Sequence, residues 1–440
     1  MLGHSDAGIP PDDCLPQWLW RCRGGDPLAV LIRLFILGRD VSVQQACRAL
    51  APTSLEPWER TGLLRRDGKR VRANVELAAQ PGFFLASDPS FANTRPANDH
   101  VLGVTTSALT LNRSVLRRDV ARSLDLGAGN GFLALHLAAH SEQVVGVDVN
   151  PRALAFARFN ADLNGVANVE FRQGDRFAAV GDELFDLIVG NLPFVISPSR
   201  EFLYRDGDAA GRTFFESVLE DAPHRLMEGG FGQFLAQWVD GSVPADVPGC
   251  DVQVIRFATE APDEYASRWL LPGSVMGKSE RNRQYRQWMK YYESRKIEAI
   301  HTGLWNLRRR RGSKNWELFT DRPLPTMTWG DRIAETFRSW GLWQGLSGRE
   351  AMLEQRVALS PYTVLREESQ WQPPQAKAQL MSSDGFSTPM EVSEIQRRFL
   401  AMVDGAKSLR EIAPAVQVIA EEQWLEEVER LVLHGFLEVR

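Results

Sequence analysis

Three short stretches bring together residue types that could hold a nucleoside. In Ser123-Leu124-Asp125-Leu126-Gly127-Ala128-Gly129-Asn130-Gly131, an apolar run meets an acid, and glycines then alternate until Phe132 opens a helix. Gly127, Gly129 and Gly131 let backbone approach a ligand closely and accept positive φ. A dinucleotide fingerprint would need its third glycine one position later, where Phe132 stands. Asp148 ends the next apolar run, Val145-Gly146-Val147-Asp148. A carboxylate at the end of such a strand can accept both hydroxyls of a ribose. Asn150 is the better placed cap for the helix that Pro151 starts, which leaves Asp148 to a ligand. Asp175, in Gln173-Gly174-Asp175, can accept an adenine amino group, with Arg176 or Phe177 beside the ring. Each piece alone also reads as a packing turn. Their order, a glycine loop and then two acids after successive strands, points to an adenosine-containing ligand.

A fourth stretch names the chemistry. The strand Phe185-Asp186-Leu187-Ile188-Val189-Gly190 runs into Asn191-Leu192-Pro193-Phe194. This resembles the Asn-Pro-Pro-Tyr-type motif of class I S-adenosylmethionine-dependent amino-methyltransferases, and the HemK-type glutamine N5-methyltransferases in particular. Leu192 replaces the first proline and Phe194 the tyrosine. The resemblance covers residues 99–240, about a third of the chain. It implies S-adenosylmethionine as cofactor, no metal, and an acceptor nitrogen whose lone pair is delocalised into a carbonyl or ring. In that reading the Asn191 side-chain oxygen and the Pro193 carbonyl accept the two amine hydrogens, while Phe194 stacks on the planar group. The catalytic set is then Asn191, Pro193 and Phe194. The cofactor set is Asp125, Gly127, Gly129, Gly131, Asp148, Asp175 and Asn191, joined by Thr105. Thr105 lies in Asp99-His100-Val101-Leu102-Gly103-Val104-Thr105-Thr106, which resembles the segment that closes over the cofactor in HemK-like enzymes. His100 there has a structural and a functional reading. Tyr204 and Arg205 follow the motif and read either as the acceptor lining or as a solvated turn.

These residues need a parallel α/β sheet to carry them. Runs at 121–126, 144–149, 169–172, 185–190 and 232–238 read as strands, with helices at 132–140, 151–164, near 176–181 and at 209–228 between them. Residues 297–310 and 315–320, flanking Gly312-Ser313-Lys314, read as an antiparallel hairpin that finishes a Rossmann-like methyltransferase sheet. Arg308 to Arg311 lie at its expected tip, where they could grip phosphate or blunt a sheet edge. Upstream, Leu28, Leu31, Ile32 and Phe35 suggest one helix, and Asp40 caps another carrying Val43, Ala46 and Leu50. Paired strands around Asp67-Gly68 complete a small winged-helix-like domain over 1–98. The methyltransferase domain is assigned to 99–325 and connecting structure to 326–383. A second winged-helix-like domain follows over 384–440, opening at the capping box of Thr388-Pro389-Met390-Glu391. The tryptophan- and tyrosine-rich clusters near Trp288 and Trp340 read as core.

Composition sets outer limits. At 440 residues, with 44% hydrophobic and 24% charged side chains, several globular domains are expected. A net charge of −5 argues against a molecule-wide attraction to nucleic acid or anionic membrane. The four cysteines form no metal-spaced pair, and the most apolar run, 28–37, is too short to cross a bilayer. A cytoplasmic protein without metal or membrane is the expectation. A protein or peptide amide is the leading acceptor. A nucleic-acid base, a small natural product, and a cofactor-binding module without transfer remain as alternatives.

Overall fold

The computed structural model describes residues 15–90, 97–198, 214–241, 247–270, 277–311, 314–371, 374–416 and 421–440. Its centre is an eight-stranded sheet. The strands are β1 (Val120–Leu126), β2 (Ser141–Asp148), β3 (Val169–Gln173), β4 (Phe185–Asn191), β5 (Leu226–Val239), β6 (Cys250–Glu260), β7 (Ile300–Arg309) and β8 (Glu317–Asp321). Their spatial order is β8-β6-β7-β5-β4-β1-β2-β3. The first five run parallel, β7 is antiparallel to both β5 and β6, and β8 pairs in parallel with β6.

The anticipated Rossmann-like sheet with an antiparallel element is therefore present, but its hairpin is built differently. Residues 297–310 do not pair with 315–320; β6, unforeseen as a strand, is the outer antiparallel neighbour of β7. Burial explains the arrangement. In β7, Leu304 enters the core on one face while Trp305 and Leu307 enter the core on the other, so β7 needs a strand at each edge. In β8 only Leu318 is buried and Phe319 faces solvent, the pattern of an edge strand. The arginine run leaves the far end of β7, where Arg309 donates to Gly249 O at 3.0 Å and Arg310 to Asp251 Oδ1 at 2.8 Å.

Helices cover both faces. Helices α1 (Thr106–Ser114), α2 (Phe132–Leu137) and α3 (Pro151–Leu163) supply the apolar core on one side. On the other lie Phe177 and α4 (Phe214–Arg225). Gln233, fully buried on β5, fixes the end of α1: its Oε1 accepts from Leu116 N at 2.8 Å, and its Nε2 donates to Ser114 O at 2.9 Å. Between β6 and β7 the chain forms α5 (Pro262–Leu270) and α6 (Lys278–Arg295), which pack on each other through Tyr265, Trp288 and Tyr292.

The stretch 326–383, expected as connecting structure, is built into the C-terminal part. Its α7 (Gly330–Gln344) presses on the end of α1 so closely that a Cβ at Gly330 would stand 2.2 Å from Val115 O. Residues Arg356–Leu359 form the middle strand between Asp404–Ser408 and Leu437–Val439. The helix expected from Thr388 starts instead at Glu394, because Met390–Glu391 pair with Gln379–Leu380 as a strand. Ser393 and Gln396 make the capping box, satisfying two N–H groups reciprocally. In the N-terminal part, Ser42 and Gln45 cap the helix assigned to Asp40, which pairs with Arg72 at 2.6 Å. Residues Ile32–Ile36 form a π-helix, and Leu28 is exposed. Among the described residues no helix is long and apolar enough to cross a membrane.

The joint between sheet and C-terminal part centres on Phe337, fully buried, with ring centroids 5.1 Å from Phe231 and 4.9 Å from Trp316. Phe337→Ala is expected to lower the unfolding free energy by ~3–5 kcal/mol, the scale for a buried phenylalanine, in chemical denaturation.

Candidate active site

The carboxyl ends of β1, β2 and β4 open into a cavity of about 810 Å³. It lies beside the switch point where β1 parts the strand order, the usual place for a ligand in an open α/β sheet. One half is lined by Gly127, Gly129, Asp148 and Asp175, the other by Phe194, Phe257, Trp269 and Thr302, and Asn191 also lines it.

The first half is held by backbone. Gly127, Gly129 and Gly131 all have positive φ, at 78°, 55° and 87°. The N–H groups of Gly127 and Ala128 donate to Val147 O at 2.8 and 2.9 Å, which pins the loop to β2. Asp148 is less free than its sequence context suggests: Oδ2 accepts from Gly129 N and Oδ1 from Asn150 N, both at 2.8 Å. Two carboxylate oxygens offer about four lone-pair sites, so acceptor capacity remains toward the cavity. Burial pushes the Asp148 carboxyl above its ordinary range, against the pull of the N–H groups of Asn150, Gly129 and Val149. Asn150 caps α3 as expected, accepting from Arg152 N at 2.9 Å.

Other expected residues fall differently. Asp125 is fully buried beneath the loop and outside the cavity lining; its Oδ2 accepts from Ala134 N at 2.9 Å, so it braces α2. Burial pushes its carboxyl up to about 7. Gly131 also sits behind the lining, where a Cβ would come within 3.1 Å of the Ala157 Cβ. Asp175 and Arg176 border the cavity, Arg176 with the left-handed φ of 50°, whereas Phe177 belongs to the core. His100 lines the cavity with Nδ1 3.6 Å from Asp88 Oδ2, and burial holds its pKa below the ordinary value. Tyr204 and Arg205 lie outside the described residues.

At the end of β4, the Asn191 amide is oriented from one side only. Its Nδ2 donates to Ser107 Oγ at 3.2 Å, while its Oδ1 is buried and has no partner among the described residues. Ser107 Oγ is 2.7 Å from Thr105 Oγ1, which caps α1 by accepting from Ala108 N at 3.1 Å. Thr105 thus enters the site as the root of a hydroxyl chain that sets the amide. Leu192, in the proline position, is buried, and its Cγ would lie 3.2 Å from a Cβ at Gly190. The loop beyond Pro193 and Phe194 is gripped by two phenols: Tyr265 accepts from Ile196 N at 3.1 Å, and Tyr292 donates to Ile196 O at 2.8 Å. Tyr265 also donates to Gln237 Oε1. Burial raises the Tyr292 phenol, so it stays a neutral donor.

The cavity thus brings together a glycine loop, two acids and an amide oxygen oriented from its nitrogen end. Similarity to known proteins gives the family. A family model described as a methyltransferase domain matches residues 118–229, and one described as a domain of unknown function (DUF7059) matches 14–74. A Methanocaldococcus jannaschii protein named as a putative protein N5-glutamine methyltransferase is 30% identical over 154 residues, 33% of this chain and 73% of its own length. The chain belongs to the HemK-type class I S-adenosylmethionine-dependent methyltransferases. Release factor glutamine methyltransferases from Geobacter sulfurreducens and Aliivibrio fischeri are 38% and 35% identical over 187 and 114 residues, 39% and 25% of this chain. Those matches span 62% and 38% of the relatives' own lengths.

The residues present fit the S-adenosylmethionine that the family uses: a half-buried carboxylate with acceptor capacity left, a glycine loop open to the cavity, and a second acid, Asp175, at its border. Among the described residues no group of His, Cys, Asp or Glu could hold a metal ion. Sequence reasoning missed Ser107, Gln237, Thr302 and Trp269, because their elements carry no motif. It also missed Asn160 on α3. Asn160 Nδ2 donates to Asn130 O at 2.8 Å and to Ala86 O at 3.0 Å, tying the glycine loop to the Phe83–Ser87 strand.

Two outcomes follow from the carboxylates. Asp148→Ala is expected to weaken S-adenosylmethionine binding by ~1.5–3 kcal/mol in calorimetry, the scale for hydrogen bonds to a charged group. Asp125 has a raised folded pKa, so its contribution is complete below its unfolded value of about 4 and is lost as pH rises through about 7. Urea unfolding should therefore show Asp125→Asn gaining on the wild type between those pH values. A flat difference would mean that Asp125 is already ionised in the fold.

Proposed function

We propose that this chain transfers a methyl group from S-adenosylmethionine to the nitrogen of a planar amide in a protein or peptide, a glutamine side chain being the fitting acceptor. The observation that carries the reading is the buried Oδ1 of Asn191 at the cavity, without a partner among the described residues, while its Nδ2 is already committed to Ser107. A buried acceptor left without a donor costs about 1–3 kcal/mol, and an incoming N–H removes that cost.

An amide NH2 is a poor nucleophile because its lone pair is delocalised into the carbonyl. Asn191 Oδ1 accepts one of its hydrogens and the Pro193 carbonyl the other, which draws the nitrogen toward a tetrahedral shape and frees the lone pair. Phe194 lies against the planar group. S-adenosylmethionine, when bound, supplies the electrophilic methyl on its sulfonium. The chain contributes position and preorganised dipoles, and forms no covalent bond to the acceptor. The relatives' own assignments as glutamine methyltransferases support a protein acceptor.

Labelled methyl transfer into fractionated lysate tests the reading, with label expected in protein. Asn191→Ala should leave cofactor affinity nearly unchanged and lower kcat by ~10²–10³, as when one preorganised contact to developing charge is lost. Asn191→Asp should fall between Ala and Asn, since a carboxylate still accepts but also attracts the sulfonium. Ser107→Ala should lower kcat less than Asn191→Ala, with Ser107→Thr restoring activity. Near wild-type turnover by Asn191→Ala would sink the amide-nitrogen assignment.

A further inference from the structure

The helix behind the catalytic loop carries charge opposite to the rest of the molecule. Between Lys278 and Lys296 there are seven Lys or Arg and two Glu, a local charge of +5 in a chain of net −5, so the other residues sum to −10. The inner face of α6 is committed to the site: Trp288 and Tyr292 are buried with Val195 and Tyr265, and Tyr292 holds Ile196. Its outer face exposes Lys278, Arg283, Arg286 and Lys290. Arg283, Arg286 and Lys290 follow i, i+3, i+7 along one stripe. Glu280 engages Arg283 at 2.7 Å, but no carboxylate among the described residues pairs with Arg286 or Lys290. Like charges at i, i+4 weaken a helix, and the nearest carboxylate at helical spacing on the stripe, Glu293 three positions past Lys290, makes no ion pair with it among the described residues.

Resting on the protein-amide reading, we propose that the outer face of α6 docks a short acidic segment of the protein acceptor and so delivers its amide to Asn191. The stripe from Arg283 to Lys290 spans about 10 Å at the rise of a helix, the reach of three or four extended residues. A longer polyanion would extend beyond the stripe, and the rest of the chain carries net negative charge. The aromatic residues of α6 face inward or are half-buried, so the outer face offers no stacking platform for bases. A short acidic peptide fits this face better than a nucleic acid strand.

Fluorescence anisotropy on the full chain provides the test, with labelled hexaglutamate and a single-stranded RNA hexamer as probes. Hexaglutamate should bind more tightly than the RNA and weaken as salt is added. The Arg286→Glu/Lys290→Glu double variant should lose ~10-fold or more in hexaglutamate affinity, two exposed attractions having become repulsions, while cofactor affinity and circular dichroism stay unchanged. Equal hexaglutamate binding by the double variant, or tighter binding of the RNA, overturns the proposal. In methyl transfer the double variant should raise the KM of the protein acceptor and keep kcat. Protein labelling at an unchanged KM overturns the docking face alone, whereas label entering only RNA or small molecules overturns this proposal and the protein-amide reading together.

Discussion

A single half-buried carboxylate, Asp148, ties together the two loops that border the cavity after β1 and β2. It accepts from Gly129 in the loop after β1 and from Asn150 in the turn after β2, each at 2.8 Å. Neither loop has sheet partners at those positions, and glycines with positive φ carry little conformational preference of their own. The carboxylate substitutes for the missing ladder. Asn150 then extends the clamp, capping α3 with one side-chain atom and donating to Asp99 O with the other at 2.8 Å. Asn160 adds a tie from α3 back to the loop.

The Asn191 side of the cavity is held by a different device, and under the proposed function its amide oxygen must stay open to the acceptor. An amide with both ends bonded internally would have nothing to offer a substrate, and one with neither end bonded would rotate. Among the described residues the Asn191 amide is bonded through nitrogen alone, by a serine that belongs to the first turn of α1. That helix is fixed at its other end by Gln233, and further along by Trp329, whose N–H donates to Arg113 O at 2.7 Å. The C-terminal part thus bears on the Asn191 amide through α1. From the opposite side, Tyr265 and Tyr292 hold both backbone groups of Ile196. Preorganisation of this kind places the dipoles before the reaction starts, which is where such sites gain most.

The departures from the Asn-Pro-Pro-Tyr pattern fall where the fold tolerates them. Leu192 turns inward beneath the glycine loop, so the position contributes apolar packing rather than chemistry. Phe194 keeps the flat ring at the cavity and loses only a hydroxyl. The loop that a first proline would stiffen is held here by the phenols of α5 and α6.

The sequence by itself determined the parallel core, the glycine loop, Asp148, Asp175 and Asn191. Each of these depends on local rules: strand runs, turn glycines, and an acid or amide at the end of a strand. It was also enough for the capped helix at Pro151 and for the family resemblance. Tertiary structure alone decided that β7 would enter between β5 and β6, since a strand apolar on both faces must be flanked on both edges, and pairing partners far apart in sequence leave no local mark. It alone made 356–359 the middle strand of the C-terminal sheet, moved Asp125 behind the site, and set Ser107 against Asn191. Ser107 and Asn191 stand 84 positions apart, so their hydrogen bond depends on how a helix and a strand are packed, which no spacing within either one encodes.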